Sequence, residues 1–406
     1  MTIFFSVSSI SSAAPQKKPV LVTPTVYPHA MEPIGNVRQI YDGVLTPEMA
    51  VNSFRNIDRL FPTRRVLHGK QVLPLVRAAT GLEKMTYTDR GRTIDLETYL
   101  ELNRVAAILV LKDGKIKLEK YRFGNTENTR WMSMSIAKSI TSTLVGAALK
   151  DGKISSLEDA VIKYVPELKG SAYQDVTVGQ VLTMSSGVRW NEAYADSRSD
   201  RRRLLDAQLA QRPGALMEVM KSLPSAAPSG TRTNYNTGET QVVAQVLRNA
   251  IGMPLANYLS QKIWSKYGME QDAYWWLDSP EGVEIGGSGL SATLRDYGRF
   301  GLFMLDEGKV GRESILPANW VAQASAPHVL KSGQSVAYGY LWWPASSEIA
   351  RSERAYAAIG IHGQFLYINP QKKMVIVIWG AQPKPVGGAV LDDHAFFAAV
   401  SAALGK

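Results

Sequence analysis

The order of apolar and polar positions changes character several times along the chain. Residues 15–35 are rich in proline, lack periodicity and read as an extended arm. At Val105 the run AAILVLKDGKIKLEKY sets two strand-like stretches around Asp113-Gly114, a dipeptide suited to a tight two-residue turn, and so predicts a β-hairpin ending at Tyr121. After Ser133 the period lengthens. Ile136, Ile140, Leu144 and Ala147 or Ala148 share one helical face, with Ser133 as the expected N-cap and Lys150-Asp151-Gly152 as a basic last turn and glycine stop. Residues 155–285 carry mostly helical patterns, broken at 185–187 and 224–230. Strand character returns from Tyr338 in YGYLWW, RAYAAIGI, GQFLYINP and MVIVIWG, with a turn at Asn369-Pro370. An amphipathic helix through Leu391, Phe396, Val400 and Leu404 closes the chain. One sheet is therefore expected from both ends of the chain, with a helical region between them.

Composition narrows the classes. At 45% hydrophobic and 20% charged, the 406 residues can bury one large core or two moderate ones, and no apolar run is long enough to span a bilayer as a helix. The absence of cysteine removes disulfides, thiolate nucleophiles and zinc ribbons. Residues 1–14 have the short apolar stretch and small-residue end of a cleavable export signal but no basic start, which leaves a periplasmic or secreted location and a cytoplasmic one both open. Net charge is +10, yet the basic residues are dispersed. The densest run, Arg201 to Arg203, is flanked by Asp196, Asp200 and Asp206 and has no interleaved aromatics. It reads as a solvated helix face, and no nucleic-acid partner is expected.

Several familiar chemistries lack their residues. There is no G-x-x-x-x-G-K-[ST], no H-E-x-x-H and no G-x-S-x-G. Gly287 to Ala292 matches G-x-G-x-x-A formally but follows no buried strand, so it reads as a loop opening a helix. The histidines His29, His68, His328, His362 and His394 are never at ligand spacing, and neither a metal nor another cofactor is expected.

What remains is Ser135-Ile136-Ala137-Lys138 at the first turn of the predicted helix. There i and i+3 share a face and unpaired N–H groups carry positive potential. By itself this pattern fits an ordinary N-terminal serine with a solvent-facing lysine better than a catalytic pair. Tyr235, in TNYNTGETQVVAQVL, lies in a glycine-containing turn before a helical run. A tyrosine beside an ammonium can be depressed far enough to take a serine's proton, although one of 17 tyrosines taken alone fits a core residue better. Ile361-His362-Gly363-Gln364 offers strand-edge N–H groups for an oxyanion; His362 fits a satisfied strand histidine and a substrate contact equally well.

Order and context tie these together. S-I-A-K after a hairpin, then S-S-G-V-R-W-N-E-A-Y, Y-N-T-G-E-T, G-G-S-G-L-S-A-T-L-R-D and G-I-H-G-Q, resemble the serine β-lactamase-like hydrolases over roughly residues 100–400. The chain is most similar to class C β-lactamase relatives, namely family VIII carboxylesterases and 6-aminohexanoate-dimer hydrolases. The resemblance implies an α+β fold, an antiparallel sheet flanked by helices, with residues 99–152 and 286–406 as the catalytic domain, 153–285 as a mostly helical insert, and 1–98 as an arm and extension without an assigned catalytic role. It also implies Ser135 as the acylated nucleophile, Lys138 as its activating partner and Tyr235 as the proton shuttle to the leaving group. The backbone N–H groups of Ser135 and Gln364 would form the oxyanion hole, and Tyr194, Ile361, His362 and Gly363 would contact the substrate.

Two departures bear on that substrate. The third position of the family's Tyr-x-Asn is Thr237, and its Lys-Thr-Gly reads Ile361-His362-Gly363, so the partner of a β-lactam carboxylate is missing. The sequence therefore points to a small-molecule ester, or a linear amide of the 6-aminohexanoate-oligomer type. A β-lactamase or D-Ala carboxypeptidase is the first alternative, and a non-catalytic ligand-binding member of the fold the second.

Overall fold

A computed structural model describes residues 27–405 together with Met1; the signal-like residues 2–14 and most of the proline-rich arm lie outside the described residues. Two stretches of chain build the central sheet: β1 (Val105–Lys112), β2 (Lys115–Tyr121), β3 (Trp343–Pro344), β4 (Tyr356–Gly360), β5 (Gln364–Asn369) and β6 (Met374–Gly380). The strands lie in the order β3-β4-β5-β6-β1-β2, every neighbouring pair antiparallel. The expected hairpin joins β1 to β2, with Asp113 and Gly114 both at positive φ, as a two-residue turn that matches strand twist requires.

Both faces of this sheet are covered, which is why β1 and β6 read as unbroken apolar runs instead of alternating ones. Ala107, Leu109, Leu111, Val375 and Val377 join the core on one face, and Ile108, Val110, Ile376 and Ile378 join a second core on the other. Helix α1 (Ile136–Lys150) packs on the first face, and its buried residues run without interruption from Ile136 to Ala148. Helices α2 (Asp200–Leu209) and α3 (Thr237–Ile251) belong to the region between the two strand sets, and α3 packs on α1. Helix α4 (Leu294–Leu305) also lies on the first face. It approaches so closely that a Cβ at its Gly298 would come within 2.6 Å of Leu109. Helix α5 (Asp393–Leu404) covers the second face through Phe396, Phe397 and Val400.

The local pattern left out a second sheet. Thr63–Val66, Ala273–Trp276, Leu290–Thr293 and Arg130–Met132 form four antiparallel strands. This sheet positions the site, because one strand runs into the turn before α1 and its neighbour begins at Leu290, three residues after Gly287. The Ser133 N–H donates to the Leu290 carbonyl at 2.7 Å and fixes the two together. Two local expectations are corrected. Ser135, not Ser133, occupies the N-cap position of α1, and the Ser133 hydroxyl turns to the Met134 carbonyl. In YGYLWW only Trp343 is strand, because Leu341 takes φ +59° and breaks the extended run.

Candidate active site

Ser135 is placed by a strained turn. Met134, immediately before it, has φ +46°, a conformation a non-glycine residue adopts at a cost and one that clusters where geometry matters. One helical turn on, Lys138 reaches back, and its Nζ donates to Ser135 Oγ at 2.8 Å and to the Gly287 carbonyl at 3.0 Å. The lysine is only 2% exposed. Burial brings its pKa down to about 7, the positive charge of Arg201 acts in the same direction, and Glu192 opposes both.

Tyr235 stands just before α3, whose first turn is capped by the Asn236 side chain accepting from the Glu239 N–H at 3.1 Å. Lys138 Nζ lies 5.4 Å from the centre of the Tyr235 ring, which stacks on Trp343 at 5.7 Å and meets the edge of Tyr338 at 6.1 Å. Burial, followed by the Glu192 carboxylate, pushes the Tyr235 hydroxyl well above the usual phenol range, and the nearby Ser135 hydroxyl offsets part of that rise. The expectation of a depressed tyrosine is thus reversed. Dehydration weakens the charge of the lysine that was to depress it, and the charge acting most strongly on the phenol is the Glu192 carboxylate.

Glu192, two residues before Tyr194, carries no local signal of a role in the site. Its carboxylate accepts from the Thr237 N–H at 2.9 Å, from the Thr237 hydroxyl at 2.5 Å and from the Trp190 indole at 2.5 Å. Thr237, in the place of the family's asparagine, therefore holds a carboxylate beside the reactive groups.

These residues line a cleft of about 440 Å³: Ser135, Glu192, Tyr194 and Tyr235 share it with Trp343, Ile359, Ile361, Phe365, Pro385 and Val386. Among the described residues, no Lys, Arg or His lines it. Gly360 and Gly363 also line it. Gln364 opens β5 opposite Gly360, and a Cβ on Gly360 would stand 2.7 Å from the Ser133 carbonyl, so the strand end closes directly onto the serine's turn.

His362 departs from its expected place. At φ +62° and 3% exposed, it turns away from the cleft; Nδ1 lies 2.7 Å from the Gln382 carbonyl, Nε2 lies 3.1 Å from the Ile40 carbonyl, and the ring packs on Phe54. Burial lowers its pKa against the opposing pull of the two carbonyls, and the ring is not among the residues that line the cleft. The solvated basic face is corrected too: Arg201 and Arg202 are 3% and 6% exposed, the first over the Tyr41 ring at 4.2 Å and the second paired with Asp42 at 2.7 Å. Tyr194 is half-buried and stacked on Tyr41, with ring centres 6.0 Å apart. Among the described residues, no three metal-ligating side chains gather.

This arrangement brings a hydroxyl, a dehydrated amine and a phenol together beside a cleft, which is equipment for acyl transfer. The β-lactamase family model matches residues 102–400, and the chain belongs to that family, as a serine hydrolase of the β-lactamase fold. Among its relatives, the 6-aminohexanoate-dimer hydrolase of Paenarthrobacter ureafaciens is 32% identical over 347 residues, covering 82% of this chain and 86% of the relative. A Bacillus anthracis structure that carries the same enzyme name provisionally superposes with TM-score 0.77 at 24% identity, over 87% of this chain and 92% of its own. A family VIII carboxylesterase has TM-score 0.58 at 16% identity, covering 73% and 91% of the two chains. That likeness is one of fold.

Proposed function

We propose that the protein hydrolyses carboxylic esters or linear amides through an acyl-enzyme at Ser135. The observation that carries this reading is the 2.8 Å contact from a dehydrated Lys138 to Ser135 Oγ in a cleft that no basic side chain among the described residues lines. In acylation, neutral Lys138 takes the Ser135 proton as Oγ bonds to the substrate carbonyl carbon. The N–H groups of Ser135 and Gln364 receive the negative charge that develops on the carbonyl oxygen. As the carbon–oxygen or carbon–nitrogen bond breaks, Tyr235 gives its proton to the leaving alcohol or amine and recovers one from the Lys138 ammonium. Water, deprotonated by the same pair, then attacks the ester and releases the acid and the serine hydroxyl.

On this reading residues 99–152 and 286–406 form the catalytic unit and 153–285 its helical insert. The 32% identity to a 6-aminohexanoate-dimer hydrolase supports linear amides beside short-chain esters. Ile361 on the cleft wall and His362 turned away from it speak against a β-lactam or a D-Ala peptide, whose carboxylate needs a cation. The association of Ser135 with Lys138 and Tyr235 speaks against a merely binding member of the fold. A panel of p-nitrophenyl esters, 6-aminohexanoate dimer and nitrocefin, run on wild type and Ser135→Ala, tests the proposal. Turnover of an ester or the dimer that disappears in the variant is the expected result; turnover of nitrocefin alone would replace it with the penicillin-recognising reading.

A further inference from the structure

Three consecutive residues before the catalytic unit touch both walls of the cleft. Ile40, Tyr41 and Asp42 end the short helix Val37–Asp42, and the first two are 1% and 4% exposed. The Ile40 carbonyl meets His362 Nε2 at 3.1 Å. His362 in turn ties its neighbours down: its Nδ1 faces the Gln382 carbonyl at 2.7 Å, and its N–H donates to the Pro385 carbonyl at 2.9 Å. Ile361, Gly363 and Pro385 are all wall residues. The Tyr41 ring reaches another lining residue, Tyr194, stacking on it with an interplanar angle of 15°, and the Arg201 guanidinium lies 4.2 Å from the centre of the same ring. Asp42 pairs with Arg202, whose guanidinium also donates to the Tyr194 carbonyl at 3.3 Å.

Loops that form a binding cleft are ordinarily its most mobile parts, and reaction rates are sensitive to sub-ångström placement. Here one rigid tripeptide fastens to each loop through a different contact. We propose that Ile40–Asp42 is a positioning bracket that fixes the separation of the Tyr194 wall from the 361–363 wall and thereby the fit of extended substrates. Its mechanical part stands on these contacts alone, and its consequence for turnover rests on the hydrolase reading above. A substrate long enough to touch both walls should feel the bracket, whereas an acetyl ester seated at Ser135 should not.

Two sets of variants test this. Tyr41→Leu removes the stack and the cation–π contact; Tyr41→Phe keeps both ring faces. His362→Asn tolerates the positive φ but does not reach Ile40. Hydrogen exchange by mass spectrometry should show faster exchange across residues 190–202 in Tyr41→Leu and across 361–365 in His362→Asn, with Tyr41→Phe close to wild type. For the 6-aminohexanoate dimer or a long-chain p-nitrophenyl ester, kcat/KM should fall about 10-fold or more in Tyr41→Leu, chiefly through KM, while p-nitrophenyl acetate changes less than about threefold. Unchanged exchange at 190–202 in Tyr41→Leu overturns the bracket, as does an equal loss on short and long substrates or a loss in Tyr41→Phe matching that in Tyr41→Leu. Exchange reads the bracket without turnover, so a wild type inert toward every substrate would defeat the hydrolase reading while exchange still decided the bracket.

Discussion

Replacing Lys138 with methionine should make the protein more stable and nearly inactive, with both effects following from one buried amine. Burial lowers the pKa of Lys138 from 10.5 to about 7. Each pK unit is worth about 1.4 kcal/mol, so holding this amine in the folded protein costs on the order of 5 kcal/mol below about pH 7. Between pH 7 and 10.5 the folded protein binds fewer protons than the unfolded chain, so this cost is complete below about pH 7 and fades as pH rises toward 10.5. Methionine has a similar length and no charge to dehydrate. It forfeits the bonds to Ser135 and Gly287, each worth about 1 kcal/mol net. Lys138→Met should accordingly gain about 2–4 kcal/mol at pH 6 and lose about 1–2 kcal/mol at pH 10, measured by urea denaturation at both values. Its kcat/KM on p-nitrophenyl butyrate should fall by about 10² or more, the usual worth of a general base. The wild-type rate should climb with pH through about 7 as the amine loses its proton. A stability difference equal at pH 6 and pH 10, or a wild-type profile flat from pH 5 to 9, would refute the idea that dehydration prepares this lysine as the base.

Glu239, 1% exposed and bonded by the Ser186 hydroxyl, has its pKa raised by burial from 4.5 to about 8. Its neutral form is favoured in the folded protein, so wild-type stability drops as pH rises from about 4.5 to 8; Glu239→Gln should melt higher than wild type at pH 8.5 and at the same temperature at pH 4, and an equal difference at both would contradict the shift. Because the cleft has no cation where a β-lactam carboxylate would lie, Ile361→Lys should raise kcat/KM for nitrocefin, a missing charge partner being worth about 2–5 kcal/mol, or roughly 30- to several-thousand-fold. No gain, with the fold intact, would mean that this position does not face a carboxylate.

Elements that identify themselves over a dozen residues were legible. The Asp113-Gly114 hairpin and the helix carrying Ser135 and Lys138 formed as their spacing predicts, because turn chemistry and helical period are local. The second sheet was not, since strands of three or four residues such as Arg130–Met132 show no period and pair across long intervals, Thr63 with Trp276. The same limit governs the site. Lys138 is three residues from Ser135 and could be singled out on the chain, whereas Glu192 gains its role from Thr237 and Trp190 and Tyr41 from Tyr194 and Arg201. Arginines 201 and 202 were misjudged for a related reason: charged side chains are buried when partners from elsewhere meet them, and a carboxylate and an aromatic face from the Val37–Asp42 helix do so here.

The central claim is that Ser135 becomes acylated. Treating the protein with a fluorophosphonate probe at pH 8 and mapping the modified peptide tests it most directly. The account predicts a single phosphonylated site at Ser135, at a rate that falls sharply in Lys138→Met and with no label in Ser135→Ala. Label on Ser133 or Ser288 with Ser135 unmodified would contradict it.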